Sequence, residues 1–340
     1  MSEPLLQVRD LVKHFIRREF IMGREISRVR AVDGVSFSLQ PGETLGVVGE
    51  SGCGKSTLAR CILKLIEPTS GQILFQETDI SSFSRKQMRP LRREMMMVFQ
   101  DPFGSLNPRK HVGWIVAEPL EVHRWGSKQE IKERVQSLLA LVGLSPEHYN
   151  RLPHEFSGGQ RQRIGVARAL ALEPKLIICD EPVSALDVSV QAQILNLLAD
   201  LQEKFGLSYV FITHNLDVVR YVSSRVLVMY LGKIVEQGGV VDLYSHPRHP
   251  YTASLLSAVP IPNPKLARLR APIVLEGDVP SPINPPAGCR FHPRCPRAQR
   301  ICAEAYPPHT LFEAEHYADC HFPINHWPLT EPGDLRNPNA

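Results

Sequence analysis

The chain has 340 residues, of which 43% are hydrophobic and 22% are charged, and its formal net charge is +4. This length suits one large α/β domain with an appendage or two small domains, and the composition is too apolar for a disordered chain. The small net charge gives no reason to expect a nucleic-acid partner. No run of about 18 apolar residues is present to span a bilayer. We also predict no secretory signal at the N-terminus, which has no long apolar core.

Prolines and cysteines divide the chain near residue 245. Of the 29 prolines, 18 lie from Pro247 onward. The same part holds four of the seven cysteines: Cys289, Cys295, Cys302 and Cys320. We therefore predict a globular α/β domain over residues 1–245 and a Pro-rich, loop-dominated extension over residues 246–340. Without a secretory signal we expect a cytosolic chain, in which disulfides are rare.

Apolar runs alternate with helical patterns along the first part of the chain. The runs that we predict to be strands are Leu6–Arg9, Val35–Leu39, Thr44–Val48, Met95–Phe99, Leu176–Cys179, Tyr209–Ile212, Arg225–Tyr230 and Ile234–Gln237. Helices are predicted from Lys55, across much of residues 113–172, and after the strand that ends at Cys179. Strands that alternate with helices favour a largely parallel sheet with crossover connections.

The segment Arg17–Arg30 stands out by its charge, because it holds five arginines and two glutamates. We interpret it as a solvated surface loop between two early strands. A contact with lipid headgroups or with a neighbouring subunit is the alternative, and nothing else in the sequence decides between them.

A phosphate-binding pattern, G-x-x-x-x-G-K-[ST], lies between a predicted strand and a predicted helix. Its residues are Gly49, Glu50, Ser51, Gly52, Cys53, Gly54, Lys55, Ser56 and Thr57. The glycines let backbone N–H groups converge on phosphate oxygens, and the helix N-terminus adds partial positive charge. We predict that Lys55 bridges the β- and γ-phosphates of ATP and that Ser56 ligates Mg²⁺. A Gly-rich turn that binds nothing is the alternative.

Two acids follow the apolar run that ends at Cys179. Ligands of open α/β sheets lie at the carboxyl ends of the strands. We predict that Asp180 holds Mg²⁺ through water and that Glu181 acts as the general base for the attacking water. Viewed alone, two acids in this position also suit a helix N-cap.

The segment from Phe156 to Arg163, FSGGQRQR, opens a helix just before the acidic strand. It resembles the signature motif of ABC ATPases, although an ordinary Ser-Gly-Gly N-cap is the alternative. The resemblance implies a head-to-tail dimer, in which Ser157 and Gly159 of one subunit cap the γ-phosphate held by the other. Gly158 and Gln160 belong to the same expected nucleotide-binding set.

The remaining family positions are filled in family order. Gln100 resembles the Q-loop glutamine, which senses Mg²⁺ and water, and Asp187 resembles the D-loop aspartate at the dimer interface. His214 resembles the switch histidine that contacts the γ-phosphate, although a lone histidine after a strand is more often structural. Phe15 is the expected aromatic that stacks on adenine, and a core position is the alternative.

The resemblance implies a fold and a function. The fold is a P-loop NTPase with a RecA-like core, an antiparallel β subdomain and a helical signature subdomain at about residues 101–172. A subunit that only binds nucleotide would be expected to lose Glu181 or His214, so an active ATPase is expected. A soluble ABC ATPase of DNA repair or translation is disfavoured, because the chain has neither a long coiled-coil insertion nor a second ATPase domain.

The segments His246–Thr252, Gly277–Cys289 and Arg294–Pro296 resemble the C-terminal extension of dipeptide and oligopeptide importer ATPases. Gln100–Arg109 and Pro182–Ser184 are similar to the second of the two ATPase subunits in such systems. The resemblance implies a sister ATPase as heterodimer partner, two membrane permease subunits and an extracytoplasmic peptide-binding protein, with this chain at the cytoplasmic face of the plasma membrane. Nickel, glutathione or another small solute is the alternative cargo.

The four cysteines of the extension have the spacing C-x5-C-x6-C-x17-C. This spacing is wider than that of usual structural zinc sites, whereas four thiolates in a loop-rich segment can hold a [4Fe–4S] cluster. Related peptide-importer ATPases include members with such a cluster, so the resemblance also favours iron–sulfur. A zinc ion and free thiols are the alternatives.

Overall fold

The computed structural model describes residues 3–18, 25–101, 104–259, 273–313, 315–325 and 327. The chain forms two compact units. The first comprises Met1–Leu5, Leu39–Thr44 and Ser82–Thr213, and the second comprises Leu6–Ser38, Leu45–Ser81 and His214–Ala340. Within the described ranges no helix combines the length and the apolar character needed to cross a membrane.

Strands and helices alternate through most of the described chain. The strands are β1 (Leu6–Arg18), β2 (Glu25–Leu39), β3 (Thr44–Val48), β4 (Ser70–Phe75), β5 (Thr78–Asp79), β6 (Met95–Val98), β7 (Leu176–Asp180), β8 (Ser208–Ile212), β9 (Arg225–Tyr230), β10 (Lys233–Gly239), β11 (His309–Leu311) and β12 (Tyr317–Asp319). The helices are α1 (Lys55–Ile62), α2 (Arg85–Leu91), α3 (Val112–Val122), α4 (Lys128–Leu141), α5 (Gly158–Leu170), α6 (Val188–Phe205), α7 (Leu216–Val222), α8 (Val240–Ser245), α9 (Pro250–Ser257) and α10 (Arg300–Glu304).

The first unit is built around three parallel strands. β7 lies between β6 and β8, and Leu176 is opposite Met95 on one side and Ser208 on the other. Every residue of β7 and β8 is buried. Strands that are buried on both faces have near-continuous apolar runs, which explains why the sequence pattern located them. The acids at the end of β7 therefore lie at the carboxyl edge of this sheet.

The second unit contains an antiparallel sheet and a mixed sheet. The antiparallel sheet has the order β2-β1-β4-β5. In the mixed sheet, β3 is parallel to β9, β9 is antiparallel to β10, and β12 of the extension pairs antiparallel to β10 with Glu236 opposite Ala318. The Pro-rich extension thus continues a sheet that carries the phosphate-binding loop after β3.

Three aromatic rings pack together in the core of the second unit. Tyr230 at the end of β9 contacts Tyr251 of α9 and Phe291 of the extension, with ring centroids 4.7 Å and 5.3 Å apart. All three side chains are fully buried. Aromatic pairs in such edge-to-face geometry add stability beyond the burial of their area, so these rings anchor the extension firmly.

The interpretation of the charged segment Arg17–Arg30 as a loop is wrong for the residues that the structure describes. β1 continues through Arg18, and β2 begins at Glu25, so residues 25–30 are strand; residues 19–24 lie outside the described part of the chain. Arg28 and Arg30 are exposed while the residues between and before them are half-buried. This alternation is the two-residue period of a strand, which the high charge of the segment hides.

Candidate nucleotide-binding site

The phosphate-binding loop connects β3 to α1, in which Lys55 is the first residue. Glycine is required at two points of the loop. Gly49 has φ 152° and Gly54 has φ 112°, and a Cβ atom would lie 2.2 Å from the Met229 carbonyl oxygen at the first position and 2.0 Å from the Ala31 carbonyl oxygen at the second. Only glycine tolerates both the positive φ and the close approach of backbone.

The Lys55 ammonium lies inside this loop. Its Nζ donates hydrogen bonds to the carbonyl oxygens of Gly49 at 2.7 Å and Glu50 at 2.9 Å, and the side chain is buried. The Cys53 thiol lies 3.7 Å from the same Nζ, and burial raises its pKa, so it stays a neutral neighbour of the lysine. The lysine is thus held where an anion in the loop would meet it.

Four further residues belong to the phosphate-binding pattern, two in the loop and two in α1. Ser56 and Thr57, the second and third residues of α1, are half-buried, whereas Ser51 and Gly52 are exposed. Backbone N–H groups at the first turn of a helix have no partner within the helix, and this is the physical basis of phosphate binding at such a site.

The acid pair lies at the end of β7. Asp180 is the last strand residue and is buried, and Glu181 follows it with φ 47°. The Glu181 N–H donates to the Ile212 carbonyl oxygen at 2.8 Å. A left-handed conformation at a residue other than glycine costs of order 1–3 kcal/mol and is concentrated at functional sites.

Gln100 is brought to the same place by β6. Its Nε2 donates a hydrogen bond to Oε2 of Glu181 at 2.9 Å, although the two residues are 81 positions apart in the chain. The two residues expected to act on water and magnesium are thus in direct contact.

The signature segment opens α5 as expected of an anion site. Ser157 is the N-cap, and its Oγ accepts a hydrogen bond from the Gln160 N–H while the Gln160 side chain accepts from the Ser157 N–H. A Cβ atom at Gly159 would lie 2.3 Å from Cγ1 of Val190, and one at Gly158 would lie 3.3 Å from Leu186. The ordinary N-cap and the anion site are compatible, because Ser157 is exposed at the helix N-terminus.

The other expected residues lie at the surface. Asp187 caps α6, where its Oδ1 accepts from the Val190 N–H at 3.0 Å, and this hydrogen bond lowers the pKa of its carboxyl. His214 follows the end of β8 and is exposed. Phe15 on β1 is 43% exposed, with the Lys13 ammonium 4.9 Å from the ring centroid, so the ring lies outside the core.

The sequence is similar to curated transport proteins over most of its length. It is 55% identical to the oligopeptide transport ATP-binding protein AppF of Bacillus subtilis, over 94% of this chain and 98% of that protein. It is 56% identical to the oligopeptide transport ATP-binding protein OppF of Haemophilus influenzae, over 86% of this chain and 88% of that protein. The family model described as ABC transporter matches residues 32–184, and the model for the C-terminal region of oligopeptide/dipeptide transporters matches residues 235–302.

The chain belongs to the ATP-binding subunits of dipeptide and oligopeptide ABC importers. Solved cassettes of the wider family share its fold: cbiO1 of Clostridium perfringens is 30% identical with a TM-score of 0.61 and covers 72% of this chain and 91% of its own. The dimeric cassette MJ0796, bound to ADP and phosphate, is 28% identical with a TM-score of 0.62 and covers 69% of this chain and 98% of its own. The predicted family and P-loop NTPase fold are thereby confirmed.

The four cysteines of this ABC subunit meet in the extension. Cys289, Cys295, Cys302 and Cys320 line one cavity of about 10 Å³, which is close to the smallest that holds a water molecule. Burial, with the neighbouring cysteines, raises the pKa of the Cys295 thiol to about 12, so the thiol stays protonated when no metal is bound. In the described ranges no group of three or more His, Cys, Asp and Glu side chains could hold a metal ion as it stands. The four cysteines therefore line one cavity without being placed to coordinate one ion.

Proposed function

We propose that this chain hydrolyses ATP to power the import of dipeptides or oligopeptides through an ABC transporter. The observation that carries the proposal is the direct contact of Gln100 with Glu181 at the carboxyl edge of a parallel sheet, in a chain that also has an intact phosphate-binding loop. The match to the C-terminal region of oligopeptide/dipeptide transporters supports the peptide cargo.

The residues of the nucleotide site fall into three groups, which bind the phosphates, stack on the adenine and hold the metal ion. The backbone of Gly49–Thr57 and the Lys55 ammonium bind the phosphates, and Phe15 stacks on the adenine. Ser56, Gln100 and Asp180 would hold Mg²⁺, which supplies charge neutralisation of the phosphate oxygens when bound. The donor set fits, because hydroxyl, amide and carboxylate oxygens are the ligands that Mg²⁺ prefers.

Glu181 and His214 act on the attacking water and the γ-phosphate. Glu181 accepts the proton of the water as general base, and the water attacks phosphorus in line with the leaving oxygen. His214 donates a hydrogen bond to the γ-phosphate. Gln100 orients the Glu181 carboxylate through the hydrogen bond described above.

A second subunit completes the nucleotide site. Ser157, Gly158, Gly159 and Gln160 cap the γ-phosphate bound by the sister ATPase, while Asp187 contributes across the same interface. The two subunits close because ATP contacts both only in the closed state, and this difference in affinity shifts the population. The dimeric form of the similar cassette MJ0796 supports this arrangement.

The assembly places this chain at the cytoplasmic face of the plasma membrane. We propose a heterodimer with a sister ATPase, two membrane permease subunits and an extracytoplasmic peptide-binding protein. Within the chain we assign residues 1–245 to the ATPase domain, with a helical subdomain at about 101–172, and residues 246–340 to the extension. The helical region at about 101–156 transmits motion to the permeases.

Peptide cargo is tested with the assembled complex in vesicles. We expect ATP-dependent accumulation of a labelled dipeptide or oligopeptide, competed by unlabelled peptide and not by nickel or glutathione. Competition by nickel or glutathione would instead assign the alternative cargo. Absence of ATP hydrolysis by the assembled complex would assign a regulatory nucleotide-binding role.

A [4Fe–4S] cluster held by the four cysteines, with zinc as the alternative, is a separate proposal about the extension. Its support is the donor set, since four thiols converge on one cavity. Anaerobic purification with visible absorption and assays of iron, sulfide and zinc distinguishes the two metals. A colourless, metal-free and folded extension would contradict both.

A further inference from the structure

The extension reaches the phosphate-binding loop through an ion pair that no sequence motif indicates. Nη1 of Arg294 donates a hydrogen bond to Oε2 of Glu50 at 2.8 Å. The two side chains are 10% and 25% exposed. An ion pair this well covered is screened by salt far less than a surface pair, so it constrains the loop residue that carries the carboxylate.

A second contact holds the backbone of the same loop residue. The N–H of Glu50 donates to Oη of Tyr251 at 2.8 Å. The Tyr251 ring is fully buried between Tyr230 and Phe291, so the hydroxyl that meets the loop has a fixed position. The extension therefore fixes both the side chain and the backbone of Glu50.

These contacts continue to the lysine that binds phosphate. The carbonyl oxygen of Glu50 accepts a hydrogen bond from Nζ of Lys55 at 2.9 Å. Glu50 is thus held by its N–H, its carboxylate and its carbonyl oxygen, and two of these three contacts come from the extension. A displacement of Glu50 therefore moves the carbonyl oxygen that accepts a hydrogen bond from the Lys55 ammonium.

We propose that Arg294 and Tyr251 are positioning residues for nucleotide binding, which hold the phosphate-binding loop in its binding conformation through Glu50. The inference rests on the proposed ATPase function and adds to it a role for the extension. A loop that is already ordered loses less conformational entropy when the nucleotide phosphates bind, so these contacts raise the affinity for nucleotide.

The test measures binding of a fluorescent trinitrophenyl-ATP to the full-length chain. We expect Arg294→Gln and Glu50→Gln each to raise the Kd roughly three- to tenfold, as for residues that act on a ligand through a neighbour. Because both variants break the same contact, the double variant is expected to lose little more than either single variant. Arg294→Lys is expected to retain part of the affinity, since it keeps the charge.

A matched control lies in the same extension. Arg300 is 91% exposed and pairs with Glu304 at 3.1 Å, so Arg300→Gln removes a guanidinium and an ion pair without touching the loop. We expect its Kd to equal that of the unchanged chain. In the assembled complex, Arg294→Gln is expected to raise the KM for ATP while kcat is retained, a split that loss of folded protein alone would not produce.

Tyr251→Phe keeps the inference testable if Arg294→Gln does not fold. This change keeps the buried ring and removes only the hydroxyl, and we expect the Kd to rise about threefold. An unchanged Kd in folded Arg294→Gln, or in Tyr251→Phe, would overturn the inference, as would fully additive losses in the double variant. If the unchanged chain bound no nucleotide at all, the proposed function would fail instead.

Discussion

The side-chain amide of Gln100 donates a hydrogen bond to the carboxylate of Glu181 over 2.9 Å. The backbone of Glu181 is left-handed, with φ 47°, and its N–H is fixed to the Ile212 carbonyl oxygen. One residue is therefore oriented from two sides, through its backbone and through its side chain. If Glu181 is the general base, as we propose, a carboxylate held in this way needs little reorganisation before it accepts a proton.

Replacement of the proposed general base, Glu181, gives the first prediction. Glu181→Gln keeps the shape of the side chain but cannot accept a proton, so we expect phosphate release to fall about 10²- to 10⁴-fold. Binding of ATP and closure of the dimer are expected to persist, and nucleotide binding measured on the same preparation is the control. Hydrolysis at the full rate would show that another residue is the base.

Two glycines of one helix give a matched pair of variants. A Cβ atom at Gly159 would lie 2.3 Å from Val190, so Gly159→Ala must displace either the start of α6 or the signature segment. We expect ATP hydrolysis by the assembled complex to fall about tenfold to hundredfold.

The control for this pair is Gly165→Ala, because a Cβ atom at Gly165 meets nothing within 4 Å. Here hydrolysis should be unchanged, and the free energy of unfolding should rise by roughly 0.5–1 kcal/mol, since alanine favours a helix interior over glycine. Equal losses of hydrolysis in Gly159→Ala and Gly165→Ala would contradict a specific role for the signature segment.

A buried histidine predicts how stability depends on pH. Burial lowers the pKa of His249 to about 3, and its Nδ1 accepts a hydrogen bond from the Tyr251 N–H, which requires the neutral ring. In the unfolded chain the pKa is about 6.5. Between these values the unfolded chain binds the proton and the folded chain does not. The free energy of unfolding should therefore fall as the pH is lowered from about 6.5, by up to about 1.4 kcal/mol per pH unit.

Urea unfolding at several pH values tests this prediction. His249→Asn keeps an acceptor for the Tyr251 N–H and does not titrate, so its stability should change less between pH 6.5 and pH 4. The exposed His246 provides the control, and His246→Asn should keep the slope of the unchanged chain. Identical slopes for the unchanged chain and His249→Asn would show that another group causes the acid sensitivity.

Local sequence patterns predicted the strands and helices whose formation depends on neighbouring residues. Thr44–Val48 and Arg225–Tyr230 are strands with the predicted bounds, because continuous apolar runs mark buried strands. Lys55 begins α1 as predicted, since the glycines before it end the strand. The three-residue strand β12 was missed, because its pairing with β10 joins residues about 80 positions apart and leaves no local period.

The sequence indicated the motif residues of the site but not the residues that support them. Arg294 and Tyr251 lie 244 and 201 positions from Glu50, in a segment whose prolines and cysteines suggested only loops. No spacing rule relates groups so distant in sequence.

The most direct measurement of the central claim records phosphate release and peptide uptake together in vesicles that contain the assembled complex. We expect both to depend on ATP and both to be lost with Lys55→Ala in this chain, because the substitution removes the ammonium that we propose bridges the phosphates. Peptide uptake that continues undiminished with Lys55→Ala, or that proceeds without ATP, would contradict the assignment of this chain as the motor of the transporter.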